Sequence, residues 1–275
     1  MTAFRSILLQ LDASPRSAAR LAFARTLAVE QAAALSAMFV AAPRRRPVQL
    51  AFAESPAALL QPPNGADVEA AKASFDRCVA EGGPAMRWVE TGSGDPVDAF
   101  CLQALYADLL VLGQSDVGPS DGGGVPEGFV ESVLIGSGRP ALILPSEGQF
   151  ATVGRDVLIG WNGRPQAAHA VSAALPWLRT AKRVHVLEAM SEEQRPAGAL
   201  DIAQYLQFHG VVAALHRHRG NGQDAGETLL SFACDVDADL LVMGCYGHSR
   251  ARELVLGGAS RTVLRSMTLP VLMAH

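Results

Sequence analysis

Cysteine is scarce in this chain, and none of its four copies, Cys78, Cys101, Cys234 and Cys245, forms a Cys-x2-Cys pair or a regular spacing. That excludes a zinc module and a disulfide scaffold, and reduced thiols fit a cytosol. Aromatic residues are only 6% of the chain, and no apolar run approaches the ~18 residues of a membrane span. Between Ser6 and Asp12 the apolar run holds about five residues, too few for a secretory signal. An excess of one charge sign is also missing. The 27 acidic and 23 basic side chains leave a formal charge of -4, which gives no footprint for nucleic acid or an anionic membrane. A soluble cytoplasmic protein is expected, with proteins or small molecules as partners. What is plentiful is aliphatic: 49% apolar residues over 275 positions suffice for one large domain or two compact ones.

The chain repeats itself once. Ile7–Pro15 aligns with Val157–Pro165 at an offset of 150, Ala107–Gly113 with Ala238–Gly244 at 131, and Arg139–Leu144 with Leu269–Ala274 at 130. The shrinking offset assigns extra residues to the first half, for which the Pro/Arg-rich stretch Pro43–Pro63 is the natural place. With the polar run Pro145–Gly154 as the seam, domains are expected at 1–148 and 154–275.

In each half short apolar runs alternate with helical stripes, the pattern of a parallel sheet covered on both faces. First-half strands are expected at Ser6–Leu11, Ala34–Val40, Ala85–Glu90, Leu109–Leu112 and Ala141–Leu144. Their second-half counterparts are Asp156–Trp161, Arg183–Leu187, Val211–His216, Leu240–Met243 and Val271–Ala274. Helices are expected at Asp67–Ala80, Pro96–Tyr106 and Glu131–Ser137. Another follows Ser14, read as its N-cap with Pro15 in the first turn and Ala18, Leu21, Ala22, Ala28 and Val29 as the buried stripe. The fold class is α/β, two tandem five-stranded parallel-sheet units of Rossmann-like type.

Open parallel sheets bind ligands beyond the carboxyl ends of their strands. In the second half the fourth strand runs into Gly244-Cys245-Tyr246-Gly247-His248-Ser249-Arg250, and Gly257-Gly258 directly precedes a helix. Glycines three apart let a ligand approach the backbone, and exposed N–H groups at a helix start suit a phosphate. The whole pattern, Gly-x2-Gly-x9-Gly between an Ala-Asp-Leu-Leu-Val-Met strand and a Pro-Val-Leu strand, resembles the universal stress proteins, and the resemblance covers the chain twice. It implies an adenine nucleotide alpha hydrolase-like fold with strand order 3-2-1-4-5. It also implies antiparallel pairing of the closing strands Ala141–Leu144 and Val271–Ala274, an internal pseudo-dimer that could associate further as a homodimer.

In nucleotide-binding members an Asp ends the first strand and a Ser or Thr follows the last motif glycine; this chain has Asn162 and Gly258 there. Asn can still hydrogen-bond a ribose or phosphate oxygen, and it removes a carboxylate's repulsion of the anion. The resemblance assigns Leu187 to the adenine edge and Met243 to an apolar wall. The nucleotide-binding set is completed by Gly163, Gly244, Gly247, His248, Ser249, Arg250, Gly257, Ala259 and Ser260, for ATP or AMP, with Mg entering only alongside ATP. The first half keeps Asp12 and Gly113 but replaces the second glycine by Asp116, and Glu127 precedes its helix. Two carboxylates there repel phosphate, which makes this site degenerate.

His216 and His218 alternate along a strand as metal ligands could, but no third ligand stands nearby and they are read as solvent-facing. Arg44-Arg45-Arg46 is read as a solvated loop; Cys245 lies in the ligand loop where its thiol could be exposed, but apart from Arg250 and Arg252 nothing there would lower its pKa, and no redox role is expected. No general base, metal carboxylate pair or Walker-type lysine stands near the glycine loop, so no enzyme is expected beyond weak ATP hydrolysis. Two readings remain: a stress-response protein regulated by an adenine nucleotide in its second domain, and a nucleotide-independent interaction scaffold with both sites decayed.

Overall fold

A computed structural model of the chain describes residues 4–42, 44–45, 60–61, 64–90, 94–114, 124–189, 200–217, 224–246 and 258–275. It separates into two compact units, Phe4–Ser137 and Gly138–His275. The first contains β1 (Ser6–Leu11), α1 (Ser17–Gln31), β2 (Ala34–Phe39), β3 (Arg44–Arg45), β4 (Leu60–Gln61), α2 (Gly65–Ala80), β5 (Met86–Val89), α3 (Pro96–Ala104), β6 (Leu109–Gly113) and α4 (Phe129–Ser137). Parallel pairing orders the main strands β6-β1-β2-β5, while β3 and β4 form a short antiparallel ladder of their own.

The second unit contains β7 (Ala141–Leu144), β8 (Asp156–Trp161), α5 (Pro165–Leu178), β9 (Arg183–Glu188), α6 (Ile202–Phe208), β10 (Ala214–Arg217), α7 (Ala225–Asp235), β11 (Leu240–Gly244), α8 (Ala259–Ser266) and β12 (Val271–Ala274). Its parallel strands run β10-β9-β8-β11-β12, the 3-2-1-4-5 order. The closing strands pair antiparallel, with Val271 opposite Ile143 and Met273 opposite Ala141. By compactness the division falls ahead of β7.

The central strands are aliphatic on both faces because helices cover both: Leu109–Leu112, Val157–Ile159 and Leu240–Val242 are fully buried. Each such side chain contributes about 1.5–3 kcal/mol on burial. The 150-residue offset continues into the helices, where α1 buries Arg20, Leu21, Ala24, Leu27 and Ala28 and α5 buries Ala170, Val171, Ala174, Trp177 and Leu178. The stripe expected in α1 needs correction. Ala18 and Ala22 are exposed and Val29 is 57% exposed, because a buried arginine occupies a core-facing place that hydrophobic periodicity does not count. Nor does Ser14 cap α1: the helix starts at Ser17, and Ser14 is engaged by Asp12 instead.

The repeated Ala-Asp-Leu-Leu-Val motif has a mechanical role in both units. Asp108 accepts the Arg5 and Ser6 N–H groups at 2.8 and 3.0 Å, and Asp239 accepts those of Gly154, Arg155 and Asp156, each at 3.0 Å. The carboxylate fastens the start of the fourth strand to the start of the first. Among the described residues, no helix is long and apolar enough to cross a membrane.

Candidate nucleotide site at the strand carboxyl ends

In the first unit the carboxyl end of β1 carries a buried ion pair. Arg20 reaches from α1 to place its guanidinium 3.0 Å from Asp12 Oδ2 and donates from Nε to the Gln10 carbonyl at 2.8 Å. Gln10 Nε2 donates to the same carboxylate oxygen at 2.8 Å, and Gln10 Oε1 accepts the Gly113 N–H at 3.1 Å. The other oxygen, Oδ1, takes the Ser14 N–H at 2.9 Å, the Ser14 hydroxyl at 2.5 Å and the Ser17 hydroxyl at 2.7 Å. Burial pushes the Asp12 carboxyl up, but the Arg20 charge and the hydrogen bonds from Ser14, Ser17 and Gln10 outweigh it and hold it below its ordinary value. A carboxylate with five donors has no lone pair to spare for a ribose. Gly113 must be glycine here, because a Cβ would overlap the Arg20 guanidinium.

The second unit has exchanged every charged or hydrogen-bonding member of that network. At the 150-residue offset, Gln10, Asp12, Ser14, Ser17 and Arg20 become Gly160, Asn162, Arg164, Ala167 and Ala170. Asn162 keeps the turn, since its Oδ1 accepts the Arg164 N–H at 3.1 Å as Asp12 accepts that of Ser14. Its side chain is exposed, and Gly163 beside it holds φ +68°. Without an arginine between them, α5 and β11 come together: a Cβ on Gly244 would lie 2.8 Å from Gln166 Cβ and overlap the Ala167 backbone. Leu187 and Met243 are 6% and 4% exposed, as inward members of β9 and β11. Glu188, one residue past Leu187, is a buried carboxylate at the end of β9; it closes an apolar run, so no sequence pattern singles it out.

Gly247, His248, Ser249, Arg250, Gly257 and Asp116 lie outside the described residues, as does His218. The stems of the second-half loop are described. Gly258 is the N-cap of α8 in extended conformation with no side-chain cap, and Ala259 opens the helix. Ser260 is 5% exposed and its hydroxyl accepts the Tyr246 N–H at 3.3 Å, fastening the two stems together. Cys245 is not exposed: at 1% it is buried, because its N–H continues the ladder to the Ala274 carbonyl at 2.9 Å. His216 likewise does not face solvent: it is half-buried, its ring 4.8 Å from that of Phe232 and its Nε2 3.1 Å from Nδ1 of His185 on the neighbouring strand. Among the described residues, no group of three or more His, Cys, Asp or Glu could hold a metal.

These features define a tandem, doubly wound α/β protein with candidate sites beyond its first and fourth strands. The family model of the universal stress proteins matches residues 3–137 and again 155–275, and the chain belongs to that family in its two-domain form. Universal stress protein Slr1230 of Synechocystis sp. is 26% identical over 185 residues, spanning 62% of this chain and 60% of that protein's length. Among solved structures, a universal stress protein from Archaeoglobus fulgidus superposes with a TM-score of 0.69 at 16% identity, over 98% of this chain and 95% of that one. A protein of unknown function from Pseudomonas aeruginosa, PA1789, gives 0.62 at 15%, over 99% and 93%. At such identities the structural likeness is one of fold.

Proposed function

We propose that this protein binds an adenine nucleotide, ATP or AMP, beyond β8 and β11 of its second unit, and that occupancy there tunes its engagement of protein partners in a cytoplasmic stress response. The observation that carries this reading is the exchange of the Asp12–Arg20 plug for Asn162 and Ala170 at equivalent positions. The first unit spends its carboxylate on an internal cation. The second presents an exposed amide in the same place, and the uncapped start of α8 offers N–H donors to a phosphate. With Asn162 in the carboxylate's position, that position supplies no acid for magnesium, which would arrive only as the counter-ion of ATP. We assign no catalytic step to the site; any hydrolysis is slow.

The test is to purify the protein without added nucleotide, denature it, and analyse the supernatant for adenine nucleotides, with ATP and AMP titrated into the apo protein with and without magnesium. Stoichiometric nucleotide, lost in a folded Gly257→Glu variant, is expected. An empty protein that gives no heat with millimolar ATP overturns the reading and leaves the interaction scaffold, which the plugged first unit already favours for that half.

A further inference from the structure

We propose that the first unit carries a binding pocket for a small monocarboxylic acid on the face of its sheet that meets α3. Leu8 on β1 lies opposite Ser36 on β2, and Ser36 lies opposite Arg87 on β5, so the three form one row across the sheet. With Val89 and with Gln103 of α3 they line a cavity of about 270 Å³, to which Ser6, Tyr106 and Ala107 also contribute. Trp88, between Arg87 and Val89, turns to the opposite face and meets Phe75 of α2 edge-on at 5.6 Å.

The second unit shows that this space is not a necessity of the fold. There Leu158, the counterpart of Leu8, lies opposite His185, and His185 opposite Ala214. His185 thus takes the place of Ser36, and His216, two residues beyond Ala214, that of Val89. Asp95 and Asp224 cap α3 and α7 in the same way, so Phe232 takes the place of Gln103. In the second unit the three rings cluster, His216 lying 5.3 Å from His185 and 4.8 Å from Phe232. In the first, a hydroxymethyl, an isopropyl and an amide leave the space open.

The chemistry of the lining selects the ligand. Among the described residues, the side chains of Arg87, Ser36 and Gln103 have no hydrogen-bond or ion-pair partner, and the lining contains no acid. A guanidinium fork pairs with a carboxylate through two parallel hydrogen bonds. One cation balances one negative charge, whereas a phosphate monoester carries about -1.5 to -2. Leu8, Val89 and Ala107 supply an apolar floor for a short tail. The volume falls just below the ~300 Å³ at which ordinary ligand pockets begin, so a nucleotide is too large.

The test is calorimetric titration of the full chain with butyrate and benzoate, with inorganic phosphate as competitor. Saturable one-to-one binding of at least one acid is expected. Loss of the charge-assisted pair in Arg87→Gln should weaken it about tenfold or more, and Gln103→Phe, which refills the space, should abolish it with the melting temperature maintained. Three results would overturn the proposal: no saturable binding of either acid at millimolar concentration, binding indifferent to both substitutions, or phosphate competing as well as the acids do. Arg87 is exposed, so its variant keeps the test decisive even if Gln103→Phe perturbs packing.

Discussion

Replacing Arg20 by Met keeps most of the side chain's bulk and removes its charge, which leaves Asp12 buried at 7% exposure with no counter-ion. Breaking a buried pair from one side costs about 3–5 kcal/mol, because the remaining charge has already lost its water. Three donors, Gln10, Ser14 and Ser17, still hold the carboxylate, so the lower end of that range, about 3 kcal/mol at pH 7, is expected. The pH dependence carries the sharper signature. In the parent, Asp12 titrates below its unfolded value of about 3.9, so its stabilisation is full above that pH and fades as pH falls toward the lowered folded value. In the variant the lowering by Arg20 is gone while burial remains, so the folded value rises and this group's stabilisation above about pH 3.9 is reduced or reversed. The deficit against the parent should therefore be largest near neutrality and shrink in acid. Hydrogen exchange of peptides spanning β1 and β6 measures it within the first unit. Asp12→Asn combined with Arg20→Met removes both charges and should cost less than the sum of the single changes by about 1–3 kcal/mol. A deficit under about 1 kcal/mol at pH 7, or one that does not shrink in acid, would show that the pair does not govern this end of the sheet.

Three further outcomes follow from the same geometry. Asp239→Ala strips the acceptor from three backbone N–H groups and should cost about 1.5–3 kcal/mol in urea denaturation, with Asp239→Asn recovering part of it. Gly154→Ala places a Cβ 2.6 Å from the Trp177 ring at a residue with φ +90°, and should lower the melting temperature with a shift in tryptophan emission. For His185, burial, His216 and Arg183 together push the imidazole down, so the unfolded chain binds more protons and stability is lost as pH falls below the ordinary value of about 6.5. His185→Leu, which also removes a buried ring nitrogen with no partner among the described residues, should flatten the decline between pH 7 and 5; an unchanged slope would contradict this assignment.

Much of the fold was legible because period and repeat agree. Ser6–Leu11, Ala141–Leu144, Asp156–Trp161 and Val271–Ala274 are strands with the expected bounds, since continuous Val, Leu and Ile runs between polar turns leave a doubly buried strand little freedom. Charged residues inside the core were not legible. Arg20 reads as a polar break in an apolar stripe, and Asp12, eight residues earlier past the end of β1, makes its burial tolerable together with the Gln10 carbonyl. His185 and His216 are similar: nothing in a linear pattern says that residues 31 apart share a face, and it takes the strand register to bring them within 3.1 Å. The aspartates of the repeated motif were visible as a repeat but not as a clamp, because their partners are backbone N–H groups, which carry no sequence signal.

The two halves have diverged by coordinated exchange rather than by scattered loss. A lone Asp12→Asn change in an ancestor resembling the first unit would have stranded Arg20 without a counter-charge, and a lone Arg20→Ala change would have stranded the aspartate; either is costly. The second unit shows both exchanged together with Gln10 and Ser17, and the backbone of α5 has closed on Gly244 where a guanidinium would otherwise stand. The sheet faces show the converse, with a ring cluster at His185, His216 and Phe232 matched by small or polar residues at all three positions of the first unit. Single substitutions at either place leave a buried charge or an unfilled void, and each carries a penalty that selection would act on. Complete sets therefore distinguish the two units at both places. At the end of β1 the first unit holds a charged, hydrogen-bonded network where the second has an exposed Asn162, and on its sheet face the first is hollow where the second packs against the helix.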